Sequence, residues 1–110
     1  MIRVTFLHRQ GRLAGFTCTG HAGFAEAGSD IVCSAVSALT QTAVLGLAEV
    51  AHIPAGYSVR EDGYLRCEVG TDATDAQRKD AALLLDTLAA GLRAVDESYP
   101  GYLKFTDREV

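Results

Sequence analysis

One stretch of the chain, Ile31 to Ala48, contains no charged residue in eighteen positions. Its apolar side chains recur at helical spacing and predict a helix from Ile31 to about Ala51, with one stripe formed by Val32, Val36, Leu39, Ala43, Leu47 and Val50. Polar residues interrupt the stretch at Ser34, Ser37, Thr40, Gln41 and Thr42. We therefore expect a helix buried within a folded protein and not a membrane span.

Alternating apolar and polar residues predict strands on both sides of this helix. Residues 2–8 and 13–19 predict one hairpin, and residues 57–60 and 64–69 a second one that turns at Asp62-Gly63. A second helix is predicted from a cap at Thr74 or Asp75 to about Ser98, followed by a short strand over 102–106. Its apolar stripe is formed by Ala81, Leu84, Leu88, Leu92 and Val95. The order ββαββαβ predicts a single α+β domain over residues 1–110, a mixed sheet with two long helices packed on it, and it leaves the strand order open.

Charge and cysteine content limit the partners and the compartment. The chain has 110 residues and a formal net charge of −4, and its cations form no cluster, so we expect no direct binding to nucleic acid. The three cysteines are an odd number, and the N-terminus alternates like a strand without the apolar block of a signal peptide. These features favour a reducing, cytoplasmic setting, with no membrane partner.

Cys33 is the residue whose position most favours chemistry. A loop over residues 20–30 with three glycines leads into the first helix, which places Cys33 in its first turn. Unpaired N–H groups and the helix dipole favour a thiolate there. Cys33 lies off the apolar stripe, with Ser37 and Thr40 at one-turn spacing. The alternative is a thiol buried in the core, which is the usual place of a free cysteine.

His21 is the candidate base, because the flanking Gly20 and Ala22-Gly23 let the loop approach the helix closely. His8 and His52 are assigned to structural roles. Asp30 is expected to cap the helix, although a carboxylate so near Cys33 opposes a thiolate. If Ser29 caps the helix instead, Asp30 is free to orient His21 or to bind a substrate amide.

Two further features leave alternatives open. The Ser37 hydroxyl either steadies the thiolate from one turn below or bonds to the backbone carbonyl behind it. Cys18, His21, Cys33 and Cys67 are four potential zinc ligands, but their spacing is poor, and residues 18 and 21 face opposite sides if strand geometry continues. We therefore read Cys18 and Cys67 as core thiols and expect neither a metal nor a cofactor.

The segment from Gly20-His21-Ala22-Gly23 through Asp30-Ile31-Val32-Cys33 to the helix rich in alanine and serine resembles the signature of the Prp family, the bacterial ribosomal-processing cysteine proteases. The resemblance covers the whole chain in length and element order. It implies that Cys33 is the nucleophile and His21 the general base and acid, with Asp30 and Ser37 supporting the site. It also implies that Gly20, Gly23 and Gly28 let the loop move over the site, and that the protein forms a homodimer.

The substrate implied by this resemblance is the precursor of large-subunit ribosomal protein twenty-seven, from which a short N-terminal extension is removed after an aromatic residue. We expect an acyl-enzyme mechanism with an oxyanion hole of N–H groups around Cys33, and a lid formed by residues 22–29. The alternatives are a noncatalytic ribosome-associated module that binds a peptide and a cysteine hydrolase with another peptide or ester substrate.

Overall fold

The computed structural model describes residues 1–26, 30–61 and 63–110. The elements are β1 Ile2–Arg9, β2 Arg12–Thr19, α1 Ile31–Leu45, a π-helical segment Gly46–Val50, β3 Ala55–Val59, β4 Leu65–Val69, α2 Asp75–Ser98 and β5 Leu103–Glu109. The predicted α+β class and the element order ββαββαβ are confirmed.

The five strands form one mixed sheet in the order β3-β4-β2-β1-β5. Strand β1 pairs antiparallel with β2 and parallel with β5, and the other neighbours are antiparallel. Parallel pairing runs from Ile2 with Leu103 to His8 with Glu109, so β5 extends beyond the predicted end at residue 106. The long-range partner strand determines this end, and the local pattern does not show it.

The two helices cover one face of the sheet. This face carries the buried side chains of Val4, Phe6, Phe16, Cys18 and Cys67, which belong to one apolar core together with residues of both helices. The opposite face carries mostly polar residues, such as Arg3, Thr17 and Arg66, although the buried Leu7 also lies on it. The predicted inward positions of Cys18 and Cys67 are confirmed.

Helix α1 departs from the prediction at its C-terminal end. Val32, Val36 and Leu47 are buried as predicted, but Val50 is 78% exposed. An i to i+5 hydrogen bond of 2.9 Å, from the Ala51 N–H to the Gly46 carbonyl, marks a π-helical turn. The wider turn rotates the residues after Leu47 out of the α-helical register, which explains why the predicted stripe fails at Val50.

The stretch Ile31–Val50 is long and apolar enough to cross a membrane by length and composition, with a mean hydropathy of 1.7. In this fold it supplies core residues on one side. Thr40 lies on that side too, where its hydroxyl donates to the Val36 carbonyl at 2.9 Å. This hydrogen bond allows a polar residue to be buried in the core.

Helix α2 begins and ends as predicted. Thr74 caps it through a reciprocal pair of hydrogen bonds with Gln77, of 3.1 and 2.9 Å. Leu84 and Val95 of the predicted stripe are only half-buried. The buried positions are Ala81, Leu85, Leu88, Ala89 and Leu92.

The second hairpin is shifted slightly from its predicted bounds. Strand β3 begins at Ala55 and ends at Val59, and β4 begins at Leu65. Gly63 has a φ of +85°, as expected of the predicted turn, whereas Asp62 lies outside the described residues.

Candidate active site

Asp30 fixes the start of helix α1 and the path of the loop before it. As predicted, it is the N-cap, and its Oδ1 accepts the Cys33 N–H at 3.0 Å. Its Oδ2 accepts the Phe24 N–H at 3.1 Å, so one buried carboxylate joins the loop to the first helical turn. The hydrogen bond from the Cys33 N–H, followed by smaller contacts with Cys33 and the loop, lowers the pKa of Asp30 although burial opposes this.

The Cys33 thiol is half-buried and is held by the same loop. The Ala22 N–H points to Cys33 Sγ at 3.3 Å. A backbone N–H directed at the sulfur favours the thiolate form, which is the nucleophile. Asp30 already accepts the Cys33 N–H, and Sγ itself accepts the Ala22 N–H, so each of these two donors has a partner in this structure.

His21 follows a close approach of the chain at Gly20 to the start of the protein, and it lines the same groove as Cys33. The φ of Gly20 is +91°, and a Cβ added there would lie 2.4 Å from the Met1 carbonyl oxygen, so only glycine fits. Gly23 also has a positive φ, of +71°, but open space surrounds it. Gly28, the third glycine predicted to let the loop move, lies outside the described residues, as does Ser29, the alternative cap.

A groove of about 260 Å³ contains both candidate catalytic residues. His21 and Cys33 line it, and the His21 side chain is exposed. Within residues 1–26, 30–61 and 63–110, no hydrogen bond joins the His21 ring to Cys33 Sγ, so the predicted role of His21 as a base would require its ring to turn towards the sulfur. An exposed side chain can make this movement, and such hydrogen bonds often form only with substrate bound.

The walls of the groove differ in chemistry. Helix α1 presents Ser37 and Gln41, whose side chains are exposed and joined by a hydrogen bond of 2.7 Å from Gln41 Nε2 to Ser37 Oγ. The sheet presents Tyr57, Val59 and Leu65 from the second hairpin. Ser37 therefore lies in the groove with Cys33, as its predicted supporting role requires. Gln41 was not singled out from the sequence, although its i+4 spacing from Ser37 was available as a signal.

Phe24 anchors the loop to the far end of helix α2. Its ring makes edge-on contacts with Tyr99 and Tyr102, with centroid distances of 5.5 and 5.3 Å. Aromatic contacts of this geometry stabilise a loop by packing as well as by burial. These partners are distant in sequence, so the sequence did not reveal this contact.

The chain matches the sequence model of the family described as cysteine protease Prp over residues 1–104. It belongs to the Prp family. A relative from Bacillus subtilis (strain 168), the ribosomal processing cysteine protease Prp, is 33% identical over 100 residues, which are 90% of this chain and 88% of the relative.

Solved structures share the fold. An essential ribosomal processing protease Prp from S. aureus, in complex with a covalently linked product peptide, superposes with a TM-score of 0.85 at 23% identity, covering 98% of this chain and all of that one. SMU.848 from Streptococcus mutans gives a TM-score of 0.82 at 29% identity over 100% of this chain and 96% of its own. Membership in the Prp family makes this protein a cysteine protease and disfavours the noncatalytic module.

The two other cysteines of this Prp-family chain are buried, whereas Cys33 is half-buried. Burial raises the pKa of Cys18 to about 11, with a smaller effect from the charge of Cys33, and it raises the pKa of Cys67 to about 11 as well. Cys67 lies within the core, away from the groove that Cys18 and Cys33 line. In the described part of the chain, no three His, Cys, Asp or Glu side chains are placed to hold a metal ion.

Proposed function

We propose that this Prp-family protease removes a short N-terminal extension from the precursor of large-subunit ribosomal protein twenty-seven, cutting after an aromatic residue. The observation that supports the catalytic part is that Cys33 and His21 line one groove, with the Ala22 N–H bonded to Cys33 Sγ. The substrate part is supported by the relatives: one is named a ribosomal processing protease, and a Prp from S. aureus is seen with a substrate peptide.

The first half of the reaction forms a thioester. His21 takes the proton of the Cys33 thiol, and Sγ attacks the carbonyl carbon of the residue before the cut. The carbonyl oxygen becomes an oxyanion, and we assign its stabilisation to the Ala22 N–H, which passes from Sγ to this oxygen once the C–S bond has formed. Protonated His21 then gives its proton to the departing amide nitrogen, so the peptide bond breaks and the new N-terminus leaves as an amine.

The second half returns the enzyme to its starting state. His21 removes a proton from a water molecule, which attacks the thioester carbon and releases the extension with a new carboxylate. The Cys33 thiolate is the leaving group and is reprotonated through His21. Asp30 is a positioning residue in this scheme. Its carboxylate accepts the Phe24 N–H of the loop and the Cys33 N–H of the helix, so it holds the loop that carries Ala22 beside Cys33 Sγ.

The proposal extends to assembly and location. An apolar groove between the helices, of about 240 Å³, includes Val50 and the half-buried Leu84. A second copy of the chain is the proposed occupant, which makes the enzyme a homodimer, because a large exposed apolar side chain beside an apolar groove is typical of an interface. The proposed location is the cytoplasm, where thiols remain reduced.

The test is processing of the extended precursor by the wild type and by single variants, followed by mass measurement of the product. We expect one cut after an aromatic residue in the wild type, no cut with Cys33→Ala, and a rate reduced about a hundredfold or more with His21→Ala. Cys67→Ala removes a thiol outside the groove and should retain processing. A cut by Cys33→Ala would show that another residue is the nucleophile. No cut by the wild type would show that the substrate is a different one.

A further inference from the structure

The core face of the sheet continues beyond the helices that cover it. Paired residues in antiparallel strands point to the same side, so the row Val4, Cys18, Leu65 and Val59 lies on one face. Exposure rises along this row from 0% at Val4 to 61% at Val59. This face is therefore covered over β1 and β2 and left open at β3.

A second row repeats this gradient. Phe6 pairs with Phe16, Phe16 with Cys67, and Cys67 with Tyr57. The first three are buried, whereas Tyr57 is 51% exposed. Two neighbouring positions on the core face of β3 thus carry large apolar side chains that no element of the described chain covers. We call Tyr57, Val59 and Leu65 together the apolar shelf.

The apolar shelf forms one wall of the groove that contains Cys33. Its three residues line that groove, and Ser37 and Gln41 of α1 stand on the other side. A groove with one apolar and one polar wall suits an extended peptide, whose side chains need apolar contacts while its backbone needs hydrogen bonds. Exposed apolar residues on an edge strand promote aggregation unless a partner covers them, which argues for a regular occupant.

We propose that the apolar shelf is the specificity subsite of this protease, where Tyr57, Val59 and Leu65 bind the aromatic and aliphatic side chains of an extended substrate peptide. The inference rests on the proposed function and deepens it, because it names the residues that select a hydrophobic peptide. Tyr57 and Val59 are specificity residues here and take no part in the chemical steps. Their contacts bind the peptide so that the carbonyl of the bond to be cut lies over Cys33 Sγ. A substitution that removes these contacts should therefore lower kcat/KM.

The test separates binding from cleavage. A fluorescein-labelled peptide, with an aromatic residue flanked by leucines, is titrated by anisotropy into Cys33→Ala protein, which cannot cleave it. We expect Tyr57→Ala and Val59→Thr, each added to that variant, to weaken binding about tenfold or more. Ser58→Ala is the matched control, because Ser58 lies between them on β3 and faces the opposite side. It should leave the affinity unchanged.

A second readout uses the same peptide with alanine in place of its aromatic residue. If the aromatic side chain lies on the apolar shelf, the peptide change and Tyr57→Ala cost less together than the sum of their separate effects. Alkylation of Cys33 by iodoacetamide, in variants that keep this thiol, should be unchanged and shows that the fold and the thiol are intact. Val59→Thr preserves side-chain shape, so its loss of affinity cannot be attributed to a cavity.

The outcomes distinguish this inference from the proposed function. Cleavage by the wild type, with binding unaffected by Tyr57→Ala and Val59→Thr, would show that the apolar shelf is not the specificity subsite. The protease assignment would stand. Binding that depends on the apolar shelf, without cleavage by the wild type, would support the subsite and overturn the proposed substrate. No binding of either peptide to the Cys33→Ala protein would overturn the subsite.

Discussion

The three thiols of this chain lie in different surroundings, and these decide which of them reacts. Burial raises the pKa of Cys18 and Cys67 to about 11 from an ordinary value of 9.0, which reduces their thiolate fraction at neutral pH about a hundredfold. Cys33 is half-buried and lines an open groove. We expect iodoacetamide at pH 7.5, close to neutrality, to modify Cys33 first, as measured by mass spectrometry of the tryptic peptides.

The same measurement in urea is the control, because unfolding removes the burial and should make the three cysteines react at similar rates. Raising the pH of the native protein towards about 11 should speed modification of Cys18, since its thiolate then becomes populated. Equal modification of Cys18 and Cys33 in the native protein near neutrality would contradict the prediction.

Asp30 shows how much of the site a sequence can predict. The cap itself was predictable, because N-capping depends on residues within one turn, and Asp30 binds the Cys33 N–H as expected. Its second bond, from the Phe24 N–H, depends on the path of a glycine-containing loop and could not be deduced from the pattern. The predicted oxyanion hole of N–H groups around Cys33 stays a prediction, and among these groups the Cys33 N–H is already bonded to the cap.

At the scale of the elements, the capping box of helix α2 offers a change in stability without a change in catalysis. Thr74→Ala removes the acceptor of the Gln77 N–H and should lower the free energy of unfolding by about 1 kcal/mol, measured in urea. Asp75, the residue after the cap, contacts Arg12 at the start of β2. Cys18, which lines the groove with Cys33, lies near the other end of β2, so the cap is remote from the groove. We therefore expect kcat/KM to remain at the wild-type value.

Exposed Thr71, which precedes the helix, provides the matched control, because Thr71→Ala makes the same chemical change without removing a cap. A stability loss of equal size in both variants would mean that the cap contributes nothing specific. A fall in activity with Thr74→Ala would mean that the start of helix α2 is energetically coupled to the groove that contains Cys33.

Helix bounds followed from the sequence where caps and periodicity agree, as in α2. They did not follow at Gly46, because the apolar periodicity up to Leu47 contains no sign of the π-helical turn that begins there. The exposure of Tyr57 and Val59 was not predicted for a related reason. Strand alternation gives the face on which a side chain lies, but it does not show how far the helices extend across that face.

At the scale of the whole molecule, the apolar surface is unevenly distributed. The groove between the helices, lined by Leu39, Leu84 and Leu88, opens beside Val50, and the π-helical turn leaves Val50 78% exposed. The apolar shelf on β3 lines a different groove and is assigned to a peptide. A second copy of the chain is therefore proposed to cover the groove between the helices, and this proposal can be tested without touching the catalytic groove.

Val50→Asp should shift the protein from dimer to monomer, raising the dissociation constant about tenfold or more, because an unpaired charge would be buried where a valine packs. Light scattering over a dilution series measures this change. Ala48→Asp adds the same charge to the same turn at an exposed position that does not line the groove, so it should dimerise as the wild type does. Two variants that dissociate alike would point to a general charge effect. A Val50→Asp variant that remains dimeric would place the interface on another surface.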